Sequence, residues 1–206
     1  MSSFAQIVYN CEDPNEYTKI LNEYDNIIKK VAISKKKYPL FIELDHFYRF
    51  ELPKNIKQKG YLELDELSKI MQYKLIRGKM RPLQKRIDNN DPNIVKSCTK
   101  KAIKLLDDGK WIDGLKVMID ELDGVGIATA SYIAALVRPD LCPIMSDEII
   151  QLFSNDKIVY SLAVYKKIQK KLFVKITNLN LKNSVFSWNM LNTEIVFWVI
   201  GNRDFS

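Results

Sequence analysis

Apolar residues recur at three- and four-residue steps along almost the whole chain, and prolines and glycines cut that pattern into helix-length pieces. Side chains at such steps share one face of an α-helix, so a chain written this way buries helix against helix. Asp13-Pro14 reads as an N-cap and first turn, because proline's missing N–H costs nothing there. Tyr17, Ile20, Leu21, Tyr24, Ile27, Ile28 and Val31 then continue as one helical face. Leu40, Phe41, Leu44, Phe47 and Tyr48 repeat it, with Pro53 closing the segment. Leu62 to Ile76 predicts a helix that ends near Gly78. Asp91-Pro92 opens another, running to Gly109. Trp111–Leu122, Ala128–Val137, a start near Ser146, Leu162–Ile176 and Trp188–Ile200 supply the rest.

No alternating strand pairs appear, and no Asn-Gly or Asp-Gly hairpin joins two strand-like runs. The expected fold is all-α, in a single domain over 206 residues. At 47% apolar residues the chain has the composition of a folded protein. Lys and Arg outnumber Asp and Glu by 32 to 25, a net charge of +7 that favours an anionic partner without naming it. Three distant cysteines, Cys11, Cys98 and Cys142, and one histidine, His46, exclude a zinc site or a four-cysteine iron–sulfur cluster. Reduced thiols, no apolar leader and no membrane-spanning run lead us to expect an intracellular protein without a membrane partner.

The segment with the most chemistry is Leu122-x-Gly124-Val125-Gly126-x-x-Thr129-Ala130. Two glycines permit a tight turn and leave no Cβ to block a ligand. The helix that follows directs its free N–H groups and its dipole at whatever sits over Gly124–Gly126. An anion fits such a place, and a DNA phosphate is one. With its flanks, this string resembles the helix-hairpin-helix motif of DNA-binding proteins, spanning residues 110–137. The resemblance implies duplex DNA as partner. It implies backbone docking through Gly124, Val125, Gly126, Ile127, Ala128 and Thr129. It also implies a monovalent cation held by the main-chain carbonyls of Asp120, Leu122 and Val125, with no other cofactor.

Arg138-Pro139-Asp140-Leu141-Cys142-Pro143-Ile144-Met145-Ser146-Asp147 follows. That order is similar to the DNA glycosylase branch of the helix-hairpin-helix superfamily, and Ser146-Asp147-Glu148 together with the basic segment 74–82 resembles a divergent eukaryotic glycosylase-like group. The branch implies two helical lobes flanking a cleft, base excision repair, and a nuclear location. It places an aspartate about twenty residues past the last hairpin glycine; Asp147 lies 21 residues after Gly126. Asp147 is thus the candidate catalytic carboxylate, stabilising an oxocarbenium-like sugar or activating water. Bifunctional members carry a lysine where this chain has Ala128, so Schiff-base chemistry is not expected. Asp147 also suits a plain helix start, with Ser146 as cap and Asp147 and Glu148 facing the dipole. A protein that keeps only the DNA-docking hairpin is the alternative function.

Lys74-Leu-Ile-Arg77-Gly78-Lys79-Met-Arg81-Pro82 sets four positive charges around a glycine break. Arg77, Lys79 and Arg81 are candidate phosphate contacts, and Arg77 and Arg81 equally suit internal carboxylates. Lys35–Lys37 reads as a solvated loop. His46, Trp111, Trp188, Trp198, Tyr73 and Tyr132 sit in apolar helical patterns and read as structural.

Overall fold

The computed structural model describes residues 3–78, 82–153, 158–182 and 186–203, and all regular elements among them are helices. The chain divides into two compact units. One is Lys37–Arg138; the other joins residues 1–36 to residues 139–206.

In chain order the second of these begins with Ser3–Asn10 (α1), Pro14–Leu21 (α2) and Tyr24–Ser34 (α3). Asp13 caps α2 by accepting from the Asn15 N–H at 2.9 Å. The single helix expected from Tyr17 to Val31 is broken at Asn22 and Glu23. Tyr17, Ile20, Tyr24, Ile27, Ile28 and Val31 are buried on both sides of the break. The three- and four-residue spacing therefore carries across the turn and hides it.

Lys37–Arg138 holds Leu40–His46 (α4), a π-helical turn Phe47–Glu51, Leu52–Lys59 (α5), Leu64–Arg77 (α6), Gln84–Asp88 (α7), Pro92–Asp107 (α8), Trp111–Glu121 (α9) and Ile127–Val137 (α10). Pro53 does not close the segment; it lies in the first turn of α5. The Leu52 N–H donates to the Phe47 carbonyl, five residues back, so the chain enters α5 through a widened turn. Proline in a helix's first turn leaves no hydrogen bond unmade. α8 packs closely along α9, where a Cβ on Gly114 would stand 3.0 Å from the Ala102 carbonyl oxygen. Thr99, fully buried on α8, accepts from the Leu62 N–H at 2.9 Å and donates to the Val95 carbonyl at 2.7 Å. The Tyr48 hydroxyl donates to the Tyr132 carbonyl at 2.8 Å, and the Arg138 guanidinium donates to the Leu106 carbonyl at 3.0 Å. Both bonds tether α10.

The chain then supplies Asp147–Phe153 (α11), Leu162–Lys182 (α12) and Met190–Asn202 (α13). α13 is nearly all buried and packs on α2, α3 and α11. Trp188 and Trp198 are 2% and 1% exposed, placing both indoles in the core. His46 is different: its ring is exposed and pairs with Glu51 at 3.0 Å, because it occupies the outward face of α4. No helix among the described residues is long and apolar enough to cross a membrane.

Asp91 caps α8 through one oxygen that accepts from the Asn93 and Ile94 N–H groups at 2.8 and 3.1 Å. Asp91→Ala leaves both donors to water and is expected to cost ~1 kcal/mol in urea-unfolding stability.

Candidate nucleic-acid interface

The candidate site is built on the turn between α9 and α10. The Leu122 N–H closes the last turn of α9 on the Met118 carbonyl at 3.3 Å, and the Val125 N–H returns to the Leu122 carbonyl at 3.3 Å. Leu122 and Val125 are buried, so the turn is anchored by two apolar side chains on its inner side. The Ala130 N–H donates to the Gly126 carbonyl at 2.9 Å, which makes Gly126 the residue that opens α10.

The two glycines serve different ends. Gly124 has φ +78°, and a Cβ there would lie 3.0 Å from the Arg86 Cβ and 3.3 Å from the Ile87 backbone nitrogen. Glycine is required there by the fold, both for conformation and for the close approach of α7. Gly126 has φ −99° and ψ −179°, an extended backbone open to any residue. A Cβ there would meet no atom within 4 Å. Neither backbone strain nor internal crowding accounts for its lack of a side chain. What the bare residue leaves is an exposed, unobstructed helix start with no side-chain cap.

Beyond it, Ile127 and Thr129 are buried and Ala128 is half-buried. Their side chains point into the unit or are minimal, so an approaching anion would meet backbone N–H groups. A surface hollow of about 570 Å³ adjoins the turn, lined by residues 119–126 with Leu83 and Arg86. The carbonyl-bearing residues Asp120, Leu122 and Val125 all lie along it. The Leu122 carbonyl already accepts from Val125. Among the described residues no group of three or more His, Cys, Asp or Glu side chains is arranged to hold a metal ion.

Residues outside the motif organise the turn. Asn90 clamps Asp123 at two points: its amide nitrogen donates to the Asp123 carbonyl at 3.0 Å, and its oxygen accepts from the Asp123 N–H at 2.8 Å. Arg86 pairs with the Asp123 carboxylate, Nε to Oδ1 at 3.0 Å. That hydrogen bond holds the Asp123 carboxyl below its usual range, against the opposing effect of burial. Glu121 is paired with Lys101 at 2.9 Å. Two of the three acids at the hairpin are thereby neutralised locally. The sequence signal for Arg86 and Asn90 was absent, since both lie more than 30 residues from their partner.

The basic break is placed elsewhere. Arg77 is 3% exposed and so belongs to the interior, with its guanidinium 3.5 Å from the Tyr132 hydroxyl and 5.9 Å from the centre of the Tyr73 ring. Of the two roles open to Arg77, this is the surrounding of an internal side chain. Lys79 and Arg81 lie outside the described residues. Asp147 belongs to the other unit and is the first residue of α11. Its Oδ1 accepts from the Tyr160 hydroxyl. Ser146 beside it is buried and accepts from the Ile149 N–H at 3.4 Å, and its carbonyl accepts from Ile150 at 3.0 Å. Glu148 accepts from the Asn202 amide at 3.4 Å and lies over Gly201, where a Cβ would stand 2.7 Å from its Cγ. The preceding segment is pinned by Tyr165, which donates to the Pro143 carbonyl at 2.9 Å.

No protein-family model, no curated protein and no solved structure matches the chain.

The two glycines separate in a stability assay. Gly124→Ala forces a side chain into a left-handed backbone and against α7, and is expected to lower unfolding stability by about 1–2 kcal/mol. Gly126→Ala meets open space and is expected to leave thermal and urea midpoints nearly unchanged. Equal losses at the two positions would contradict the separation of their roles.

Proposed function

We propose that residues 122–130 dock the protein on the phosphate backbone of duplex DNA, as a helix-hairpin-helix element of a glycosylase-like protein. Gly126 carries the proposal: a glycine that neither its dihedral angles nor its neighbours require, exposed at the uncapped start of an 11-residue helix. A side chain there would stand between an incoming phosphate and the N–H groups of α10. Arg86 and Lys101 support the same reading, because pairing Asp123 and Glu121 reduces the repulsion a phosphate would otherwise meet. A monovalent cation on the carbonyls of Asp120, Leu122 and Val125 belongs to the proposal, as does the two-lobed glycosylase-like reading of the fold. So does a nuclear location. Arg77 is left out of the interface because it is buried.

Duplex affinity should fall with rising salt at a log–log slope of about −0.9 per phosphate contacted. Gly126→Glu adds bulk and a like charge at the docking point and is expected to abolish most duplex binding, with Gly126→Ala intermediate. Fluorescence anisotropy with a labelled duplex measures both. Undiminished affinity in folded Gly126→Glu refutes hairpin docking.

Within this reading Asp147 is the carboxylate assigned to monofunctional base excision. Asp147→Asn keeps shape and removes charge, and is expected to abolish excision while sparing duplex affinity. A non-catalytic DNA-binding protein is the second reading, and a specific observation favours it: Asp147 is engaged by the Tyr160 hydroxyl beside a Ser146-capped helix start. It predicts no excision by the unaltered protein. Asp147→Asn would then cost only ~0.3–1 kcal/mol of stability. Incubation with a panel of damaged duplexes, followed by alkaline cleavage at abasic sites, decides between the two.

A further inference from the structure

α12 carries six lysines and no acidic residue in its 21 positions. Its inner face buries Tyr165, Ile168, Leu172, Ile176 and Leu179. Lys175 also turns inward, donating to the Cys11 carbonyl between the rings of Tyr9 and Tyr17. The outer face is more unusual. At about 100° per residue, Lys167, Lys170, Val174, Thr177 and Leu181 fall on one stripe, diametrically opposite the buried face. Lys166 and Phe173 flank it on one side and Lys171 on the other.

This stripe is divided along its length. Its first two turns are cationic: Lys166, Lys167, Lys170 and Lys171 are all exposed. Lys167 donates to the Phe153 carbonyl at 3.3 Å, and the Lys171 ammonium lies 5.1 Å from the centre of the Phe153 ring. Among the described residues none of the four pairs with a carboxylate, although like charges at i and i+4 are unfavourable to a helix. The remaining turns expose apolar side chains on either side of Thr177, with Phe173, Val174 and Leu181 at 49%, 55% and 81% exposure.

We infer that this outer face of α12 binds an acidic, amphipathic helix of a partner protein. The partner would set carboxylates over Lys166–Lys171 and apolar side chains over Phe173, Val174 and Leu181, across about 22 Å of helix. Each half of the stripe contributes to the choice. The four exposed lysines, without a carboxylate partner among the described residues, call for an anionic partner. The exposed apolar half calls for apolar surface, which a phosphodiester backbone does not offer. A second copy of the chain is a poor occupant, since parallel pairing of α12 with itself sets lysine against lysine and antiparallel pairing sets lysine against apolar residues. A lipid surface takes up a helix by its main apolar face, and that face of α12 is already packed inside the protein.

The test uses the full chain and a labelled synthetic helix of about 20 residues, glutamate-rich over one half and leucine-rich at three- and four-residue spacing over the other. A control peptide has the same composition with the two residue types interspersed. Vesicles containing phosphatidylserine and a short duplex complete the set. The segregated peptide is expected to bind and the interspersed one to bind on the order of tenfold more weakly. Lys166→Glu with Lys170→Glu should reduce peptide affinity on the order of tenfold or more, and Val174→Ser with Leu181→Ser should reduce it severalfold. All four positions are exposed, so thermal midpoints should hold; if charge reversal lowers them, Lys166→Gln with Lys170→Gln replaces it. Duplex binding through Gly126 should persist in these variants, which separates this inference from the hairpin proposal. Equal binding of the two peptides overturns it, as does failure of the segregated peptide to bind. Binding of vesicles or duplex that the lysine variants abolish, without peptide binding, overturns it in favour of lipid or nucleic acid.

Discussion

The turn between α9 and α10 closes only because residue 124 has no side chain. Its left-handed backbone lets the chain reverse there, and the missing Cβ lets Arg86 and Ile87 of α7 come within van der Waals reach of the turn. Once α7 is that close, Asn90 reaches both backbone groups of Asp123 and Arg86 reaches its carboxylate. The turn is then held by main-chain and ionic contacts from a segment far away in sequence. The start of α10 inherits its position from them. Tyr48 and Arg138 fix the middle and the far end of the same helix.

That organisation sets the electrostatics of the hairpin. Asp123 and Arg86 shift each other in opposite senses, the carboxyl downward and the guanidinium upward, with their mutual hydrogen bond the largest cause in each case. Neither charge is left over to attract or repel a ligand strongly. An anion at Gly126 would therefore be held mainly by oriented N–H groups and the helix dipole, whose effect is confined to the first turn.

The other unit uses charge differently. Lys175 is taken inside, and its burial pulls the ammonium's pKa down while the neighbouring Glu12 and Cys11 act the other way. Lys166, Lys167, Lys170 and Lys171 of α12 are left outside on a face that also exposes apolar side chains. Ser146 and Asn189 cap α11 and α13, so polar residues at those helix starts are committed to local structure. Asp147 stands at that same boundary, with Tyr160 as its hydrogen-bond donor.

Much of this was legible in the sequence. The all-helical class followed from periodicity, and the starts at Asp13-Pro14 and Asp91-Pro92 from capping chemistry that acts within three residues. The ends of α6, α8 and α10 followed from Gly78, Gly109 and Arg138-Pro139, and the turn between α9 and α10 from its two glycines. Such signals are local: a cap, a proline or a glycine acts on the backbone beside it. The turn at Asn22 was hidden because the apolar spacing runs through it, and α5 was hidden because a π-helical turn readmits Pro53. The burial of Arg77, the exposure of His46, the Asn90 clamp and the pairing of Asp123 with Arg86 had no local signal. Each depends on which distant segment packs alongside. Sequence determined where helices begin and which faces are apolar; only the tertiary structure decided which glycine the fold requires and which it leaves bare, because that difference lies in the atoms another helix brings to within 4 Å of the Cβ position.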